Sequence, residues 1–547
     1  MKNFFEDKYK LFLIVLSIIF FVTYLFLSID FNNFSKMNFF HQPDYLVFNQ
    51  PDESANYFFI RKLVVEKVFR VGEDLSFLTL NQLHPRSMTV VQGTLVPIGF
   101  PGVVAVFSLF TSFFVYIFGS SFFNLALVSL VPLLGAVTPL FFYGFLKKIF
   151  NRRVAFFASL LLFINPAWWY YASRSLQHTI IFIFFVVSSL YFATSFVYCH
   201  DKRKSLFAFL WAFLFGVAIL IRPIEFLWLG PLLLFFLVYL RKNLTRNSFL
   251  FFLLGAFLSM LIFALLQIIY YGSIWSTGYA FVQENGMAGN ILDKISSNFF
   301  LFGFSVKAML KNTLFYSGLV FPVWLFVYFL SFVYLNYLLL KKNLDKKKYK
   351  ILFGTFVFTA LCLIFYYGSS SFVDNLSMQY SIGSSQVRYF MPLYLFGTVF
   401  IAFLFEFLFK KVKYFIFIFF AVLFIFSIKS VFYDFEGLLH IKSILNEYND
   451  IKTEIVQNTE DNSIIVTRYA DKYIFPDRRV ITSVEDKNFV PAIKNLLLRG
   501  YKVYIFDLFA DKRYYENMSF QLDLSDISIS EDIFKTKDSV LQQIFLK

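Results

Sequence analysis

Apolar residues fill this chain in long blocks. Runs lie at about 10–29, 96–118, 122–147, 154–170, 179–199, 206–222, 224–240, 248–271, 314–340, 351–367, 390–409 and 414–432. Each approaches the ~20 residues a helix needs to cross a bilayer. Polar positions between several of them are basic: Lys147-Lys148 with Arg152-Arg153, Lys202-Arg203-Lys204, Arg241-Lys242 with Arg246, Lys341-Lys342 through Lys350, and Lys410-Lys411 with Lys413. With Lys2, Lys8 and Lys10 in the cytoplasm, a crossing by every run would put all these clusters outside, against the positive-inside rule. Withdrawing one run restores the rule. The block 96–118 opens with Pro97, Gly99, Pro101 and Gly102, which break or tilt a helix start. It is therefore expected to be re-entrant or interfacial.

The pattern then predicts an all-α polytopic membrane domain over 1–432, with about eleven transmembrane helices plus interfacial or re-entrant pieces. A first outer loop spans about 30–121, with residues 54–70 an amphipathic helix along the interface. The first apolar run has basic residues before it and no small-residue cleavage site after it, so it reads as a retained signal-anchor. From about 433 the character changes. Ser463–Val466, the surroundings of Val480 and Lys502–Asp507 read as short strands, and Phe489–Arg499 as a helix closed by Gly500. This predicts a small α/β extracytoplasmic domain over 433–547, in which Asp471 and Asp477 read as ordinary loop carboxylates.

Composition supports the membrane reading. Of 547 residues, 58% are hydrophobic and 84 are Phe, more apolar surface than a soluble domain hides. The net charge of +15 reflects topology-setting basic runs, so no nucleic-acid partner is expected. Cys199 and Cys362 lack the spacing of a disulfide framework or zinc site. No Walker loop, GxGxxG or HExxH is present, which argues against an ATP-driven pump and a metalloprotease.

Candidate chemistry lies outside. Pro51-Asp52-Glu53 places two carboxylates just beyond the bilayer; acids behind a proline also suit a plain helix start. His84-Pro85-Arg86 follows in the same loop. Further along come Arg174 and His178, Arg222-Pro223, a loop of about 272–313 with Glu284, Lys294, Lys307 and Lys311, and Arg388-Tyr389. Arginines on the outer side run against the topology rule and ask for a partner, and guanidinium matches phosphate oxygens in a bidentate fork. Snorkelling anchors are the plainer reading. Trp168-Trp169-Tyr170-Tyr171 reads as an interfacial aromatic belt. Together the parts fit a transfer: a carboxylate takes a proton from an attacking hydroxyl or amine, and fixed arginines stabilise a departing phosphate.

In their order and shared sidedness, Pro51-Asp52-Glu53, His84-Pro85, the Asn165-Pro166 to Ser173-Arg174 stretch, Arg222-Pro223 and Arg388-Tyr389 resemble the GT-C glycosyltransferases. The nearest branch holds protein O-mannosyltransferases and aminoarabinose transferases. The resemblance covers most of residues 1–432. It implies an inverting transfer from a polyprenyl-phosphate-linked sugar to a protein, lipid or glycan acceptor at the outer face of the cytoplasmic membrane. Asp52 would be the base, with Glu53 orienting it or the acceptor. Arg222 and Arg388 would contact the phosphate and His84 would shape the pocket; Arg86, Arg174, His178, Lys307 and Tyr389 complete the expected substrate contacts. The family often carries a second acid after its Ser-Arg stretch. Here the stretch continues Ser175-Leu176-Gln177-His178, so no cofactor is expected and a divalent cation lacks support. The competing readings are a secondary transporter or flippase, which would use Gln267 or Glu406 within helices, and a glycan polymerase or ligase.

Overall fold

The computed structural model describes residues 7–31, 46–99, 101–199, 203–279, 300, 303–340, 346–370, 372, 379–484, 486–506, 512–536 and 539–547. Glu284, Lys294, Lys202 and the Lys341-Lys342 pair lie outside these residues. The chain divides into two compact units, Met1–Ile29 with Val128–Phe263 and Phe299–His440, and Asp30–Leu127 with Ala264–Asn298 and Ile441–Lys547.

The first unit is helical. Among the described residues of the whole chain, ten helices are long and apolar enough to cross a membrane, or eleven if one bent pair counts as a single span. Large side chains such as Ile18, Val22 and Phe26 on Lys8–Phe31 stay exposed, an arrangement that suits lipid rather than water. The bent pair is Arg152–Ile164 with Pro166–Ala172, turned by 58°. Its cause is local. Pro166 has no amide hydrogen to continue the first helix but fits the opening of the second, and the Asn165 side chain accepts from the amide of Trp168 at 3.2 Å. Small residues bring two spans close, since a Cβ added at Gly255 of Arg246–Tyr271 would lie 2.4 Å from the Phe209 carbonyl oxygen. The run expected at 314–340 is interrupted: its long helix starts at Pro322, after a short helix Val306–Leu314 and a wider turn Phe315–Leu319.

The second unit holds two sheets. Strands β1 (Val71–Gly72), β2 (Met88–Val91) and β3 (Thr94–Pro97) form an antiparallel sheet in the order β1-β3-β2. A two-residue turn at Gln92-Gly93, both at positive φ, joins β2 to β3. Strands β4 (Ile464–Val466), β5 (Arg479–Ile481), β6 (Val503–Phe506), β7 (Ile527–Lys535) and β8 (Val540–Leu546) are ordered β5-β4-β6-β8-β7. β4 runs parallel to β5 and β6, and β8 antiparallel to β6 and β7. The first three match the predicted strands; β7 and β8 do not appear in the sequence reading. Alternation along the central strands covers both faces. Ile464, Val466, Val503 and Ile505 pack with Phe489 and Ile493 on one side, while Ile465, Tyr504 and Phe506 pack with Ile441, Leu445 and Ile455 on the other. Leu75 and Leu83 of the early loop are buried in the first of these layers.

Two expectations for the early loop change. The amphipathic helix is a buried α-helix, Pro51–Arg61, running into a wider turn, Lys62–Glu66. Lys67 stops it at φ 60°, a left-handed conformation that cannot continue a helix. Its residues 55–60 are all buried, with Phe58 against Phe475 and Phe59 against Tyr270, so it does not lie along a surface. Likewise Pro101–Phe118 is one unbroken helix, apolar and long enough to cross. Pro97 ends β3 and Gly99 follows it, so neither sits inside that helix; Pro101 starts it, where proline is tolerated. The breakers therefore lie before this helix or at its start.

Candidate active site

In the helical unit, the chain gathers buried arginines around stacked tyrosines. Pro223 ends Arg203–Ile221 and opens a single turn, Pro223–Glu225, which sets Glu225 beside Arg222. Both side chains are fully buried, with Arg222 Nη2 2.5 Å from Glu225 Oε1. Tyr367 donates to the same Oε1 at 2.8 Å, and the Trp228 indole N–H donates to Oε2. The Tyr367 and Tyr389 rings stack with centroids 4.0 Å apart. The Arg222 guanidinium lies 4.6 Å from the Tyr389 centroid and 5.0 Å from that of Phe182, a favourable approach of a cation to π faces. Its Nε and Nη1 hydrogens meet no acceptor among the described residues.

Tyr389 joins the other predicted groups. Arg388 stands 5.9 Å from its ring centroid, and the His178 ring is 6.4 Å away between centroids. Arg388 donates to Gln177 Oε1 at 3.2 Å and to the Ser385 hydroxyl at 2.5 Å. The structure thus brings His178, Arg222, Arg388 and Tyr389 together. Arg174, also buried, donates to the Tyr170 hydroxyl at 3.0 Å. The aromatic run 168–171 is buried throughout rather than forming an exposed belt. Tyr171 instead ties down the turn before Arg388, donating to the carbonyls of Ile382 and Ser384 at 3.1 and 3.0 Å. Lys307 is exposed on Val306–Leu314, and no contact links it to this cluster among the described residues.

Two acids here escaped the sequence reading. Glu225 follows Arg222 by three residues at a helix start, a spacing that favours pairing and offered a usable signal. Glu436 offered none, because 55 residues separate it from its partner, the Ser381 hydroxyl. It is buried at a left-handed φ of 59°. A Cβ at Gly383 would fall 2.8 Å from Glu436 Oε2 and 3.1 Å from the Tyr170 hydroxyl, so a carboxylate lies near the tyrosine that binds Arg174. Glu406, the transporter candidate, pairs with Lys410 at 2.9 Å.

In the second unit the acidic pair splits. Glu53 caps the helix start, accepting from the Gln50 amide at 3.2 Å, while Asp52 is half-buried and accepts from the Ser87 hydroxyl at 2.7 Å. Glu53 thus makes the contact that the helix-start reading expects, and Asp52 reaches across to the residue that follows His84-Pro85-Arg86. Arg86 is engaged by the protein: its backbone amide and Nε donate to Asp471 at 2.9 Å each, and Nη2 donates to the Tyr469 carbonyl at 3.0 Å. Asp471 is therefore no ordinary loop acid, since it holds both the backbone and the side chain of Arg86. His84 is buried, its backbone bridged to Ile481 and its carbonyl accepting from Thr482 at 3.2 Å. Burial holds its imidazole below the usual range, outweighing the Pro85 carbonyl, Asp471 and Asp486. Among the described residues no three His, Cys, Asp or Glu side chains gather to hold a metal ion.

Residues 104–270 match the family model described as dolichyl-phosphate-mannose-protein mannosyltransferase. No curated protein matches the chain by sequence. Among solved structures, ArnT from Cupriavidus metallidurans, with undecaprenyl phosphate bound, shares the fold with a TM-score of 0.54 at 11% identity, covering 97% of each chain. The archaeal oligosaccharyltransferase AglB from Archaeoglobus fulgidus, in complex with an inhibitory peptide and a dolichol-phosphate, gives a TM-score of 0.54 at 13% identity, covering 92% of this chain and 70% of that one. The chain is thus similar to this family model over residues 104–270 and shares its fold with both of these integral-membrane structures.

Proposed function

We propose that this protein moves a sugar from a polyprenyl-phosphate carrier to an acceptor at the outer face of the cytoplasmic membrane, with inversion at the anomeric carbon. The observation that carries the reading is Arg222: a fully buried guanidinium, oriented by Glu225, that retains donors for an anion beside Arg388. A buried charge with unsatisfied donors is costly unless a ligand uses them. In this reading the acceptor oxygen or nitrogen attacks the anomeric carbon as the carbon–oxygen bond to phosphate breaks. The bonding electrons leave on the phosphate, whose growing charge Arg222 and Arg388 stabilise. The acceptor proton passes to the Asp52 carboxylate, held by Ser87. In this reading Pro101–Phe118 does not cross, which keeps the basic clusters on the cytoplasmic side with the N-terminus and puts the C-terminal sheet outside.

The test is release of polyprenyl phosphate by the purified protein in lipid nanodiscs, offered a panel of polyprenyl-phosphate sugars with peptide, lipid and glycan acceptors. Turnover of one donor, abolished by Asp52→Asn, is expected. No donor turnover across the panel, or full activity of that variant, overturns the reading or the role of Asp52 respectively.

A further inference from the structure

Glu225 makes more contacts than pairing with Arg222 requires. It accepts from Arg222, from the Tyr367 hydroxyl and from the Trp228 indole, all inside a buried cluster. Two consequences follow. The guanidinium is fixed through Nη2 between the Tyr389 and Phe182 rings, with Nε and Nη1 left as donors. The Arg222–Glu225 pair is also close to neutral, because one buried negative charge sits against the positive one.

We propose that Glu225 is a positioning residue that attenuates the hold of Arg222 on the lipid phosphate and so permits release of the product. This rests on the reading that Arg222 meets that phosphate. The donor is a phosphodiester with one negative charge. Breaking its bond to the sugar leaves a phosphate monoester, which carries about −1.5 to −2 charges near neutral pH. An uncompensated guanidinium in a low-dielectric site binds the more highly charged product better than the donor, since Coulomb attraction scales with charge. It would thus trap the enzyme with its product. The Glu225 carboxylate repels the same phosphate, and it repels the dianion more strongly than the monoanion. Arg222 still stabilises the departing charge, yet the product remains exchangeable.

The experiment compares wild type with Glu225→Gln in a Trp228→Phe background, which removes the indole donor that a carboxamide cannot fully satisfy. Affinities for a polyprenyl monophosphate and for the uncharged polyprenol are measured in nanodiscs, alongside steady-state kinetics. The monophosphate is expected to bind about tenfold tighter to the Gln variant, equivalent to about 1.4 kcal/mol. Polyprenol affinity should stay unchanged, while kcat falls and product inhibition strengthens. A purely structural Glu225 would weaken both ligands together. Unchanged or weaker monophosphate binding overturns the proposal. If the Gln variant does not fold, Glu225→Asp, which keeps the charge but withdraws it from Arg222, decides instead: two- to threefold tighter monophosphate binding supports the proposal, and none refutes it. The double variant R222M/E225M removes the pair as a unit. Retention of the wild-type preference for monophosphate over polyprenol in that variant defeats the phosphate assignment itself, whereas loss of the preference without tightening in the Gln variant defeats only the attenuation.

Discussion

Replacing Arg86 by alanine separates a structural ion pair from a substrate contact. The Asp471 side chain is wholly shielded, and that of Arg86 is 30% exposed, with Nη2 2.7 Å from Asp471 Oδ1. Charge centres about 4 Å apart attract by about 4 kcal/mol at an effective dielectric constant of about 20, and desolvation of the carboxylate offsets part of this. Arg86→Ala leaves a buried carboxylate held by one backbone amide, a loss of about 3–5 kcal/mol. Asp471→Asn is milder, about 1–2 kcal/mol, because an amide oxygen still accepts from the Arg86 backbone and the freed guanidinium reaches water. The double variant Arg86→Ala with Asp471→Asn should cost less than the sum of the two, with a coupling of about 2–3 kcal/mol. Asp471 lies between β4 and β5, so the readout is amide hydrogen exchange across 464–481 in the detergent-solubilised protein. Arg86→Ala should raise exchange there by about 150-fold or more, taking 1.4 kcal/mol per tenfold. Unchanged exchange combined with a raised KM for the donor would refute the reasoning and return Arg86 to the substrate.

Asp52→Asn should lower turnover by about 10²–10⁴-fold, the usual contribution of a general base, with the unfolding temperature unchanged; a matching loss of stability would mark Asp52 as structural. Ser87→Ala should produce a smaller loss of kcat without changing donor KM, because it releases one hydrogen bond to Asp52; a changed donor KM with intact kcat would count against it. His84 is held neutral, its folded pKa below the unfolded value of about 6.5. The unfolded state therefore binds the extra proton, and the contribution of His84 to stability is present above about pH 6.5 and falls as pH drops below it. Thermal unfolding from pH 7.5 to 5.5 should show this decline, and His84→Asn should flatten it; an equal slope in both proteins would discount the histidine. Gly255→Ala should destabilise by about 1–3 kcal/mol, since the added methyl meets a backbone oxygen that cannot rotate away. An unchanged melting temperature would show that the two helices separate freely.

How far the sequence reveals this protein depends on the range of the interactions involved. Hydrophobic runs and their basic flanks are local, so the spans, the strands β4 to β6 and the helix after Asn488 were legible. β7 and β8 were not: Ile527–Lys535 is interrupted by Ser530, Glu531 and Asp532, whose irregular register destroys simple alternation. The helix expected over 54–70 starts earlier, at Pro51, and stops short, at Glu66, for a related reason. Periodicity sets which residues share a face, but the left-handed turn at Lys67 is imposed by the surrounding fold. At the candidate site, Arg222, Arg388 and His178 were legible as charges at span ends, and their common neighbour Tyr389 adjoins one of them. Their roles depend on what each meets. Arg222 meets an acid three residues away and retains donors, whereas Arg86 meets an acid 385 positions distant that engages both its backbone and its side chain. The two arginines look equivalent along the chain. Of these two, Arg222 is the one that is fully buried and left with donors, which is why the proposed phosphate contact falls to it.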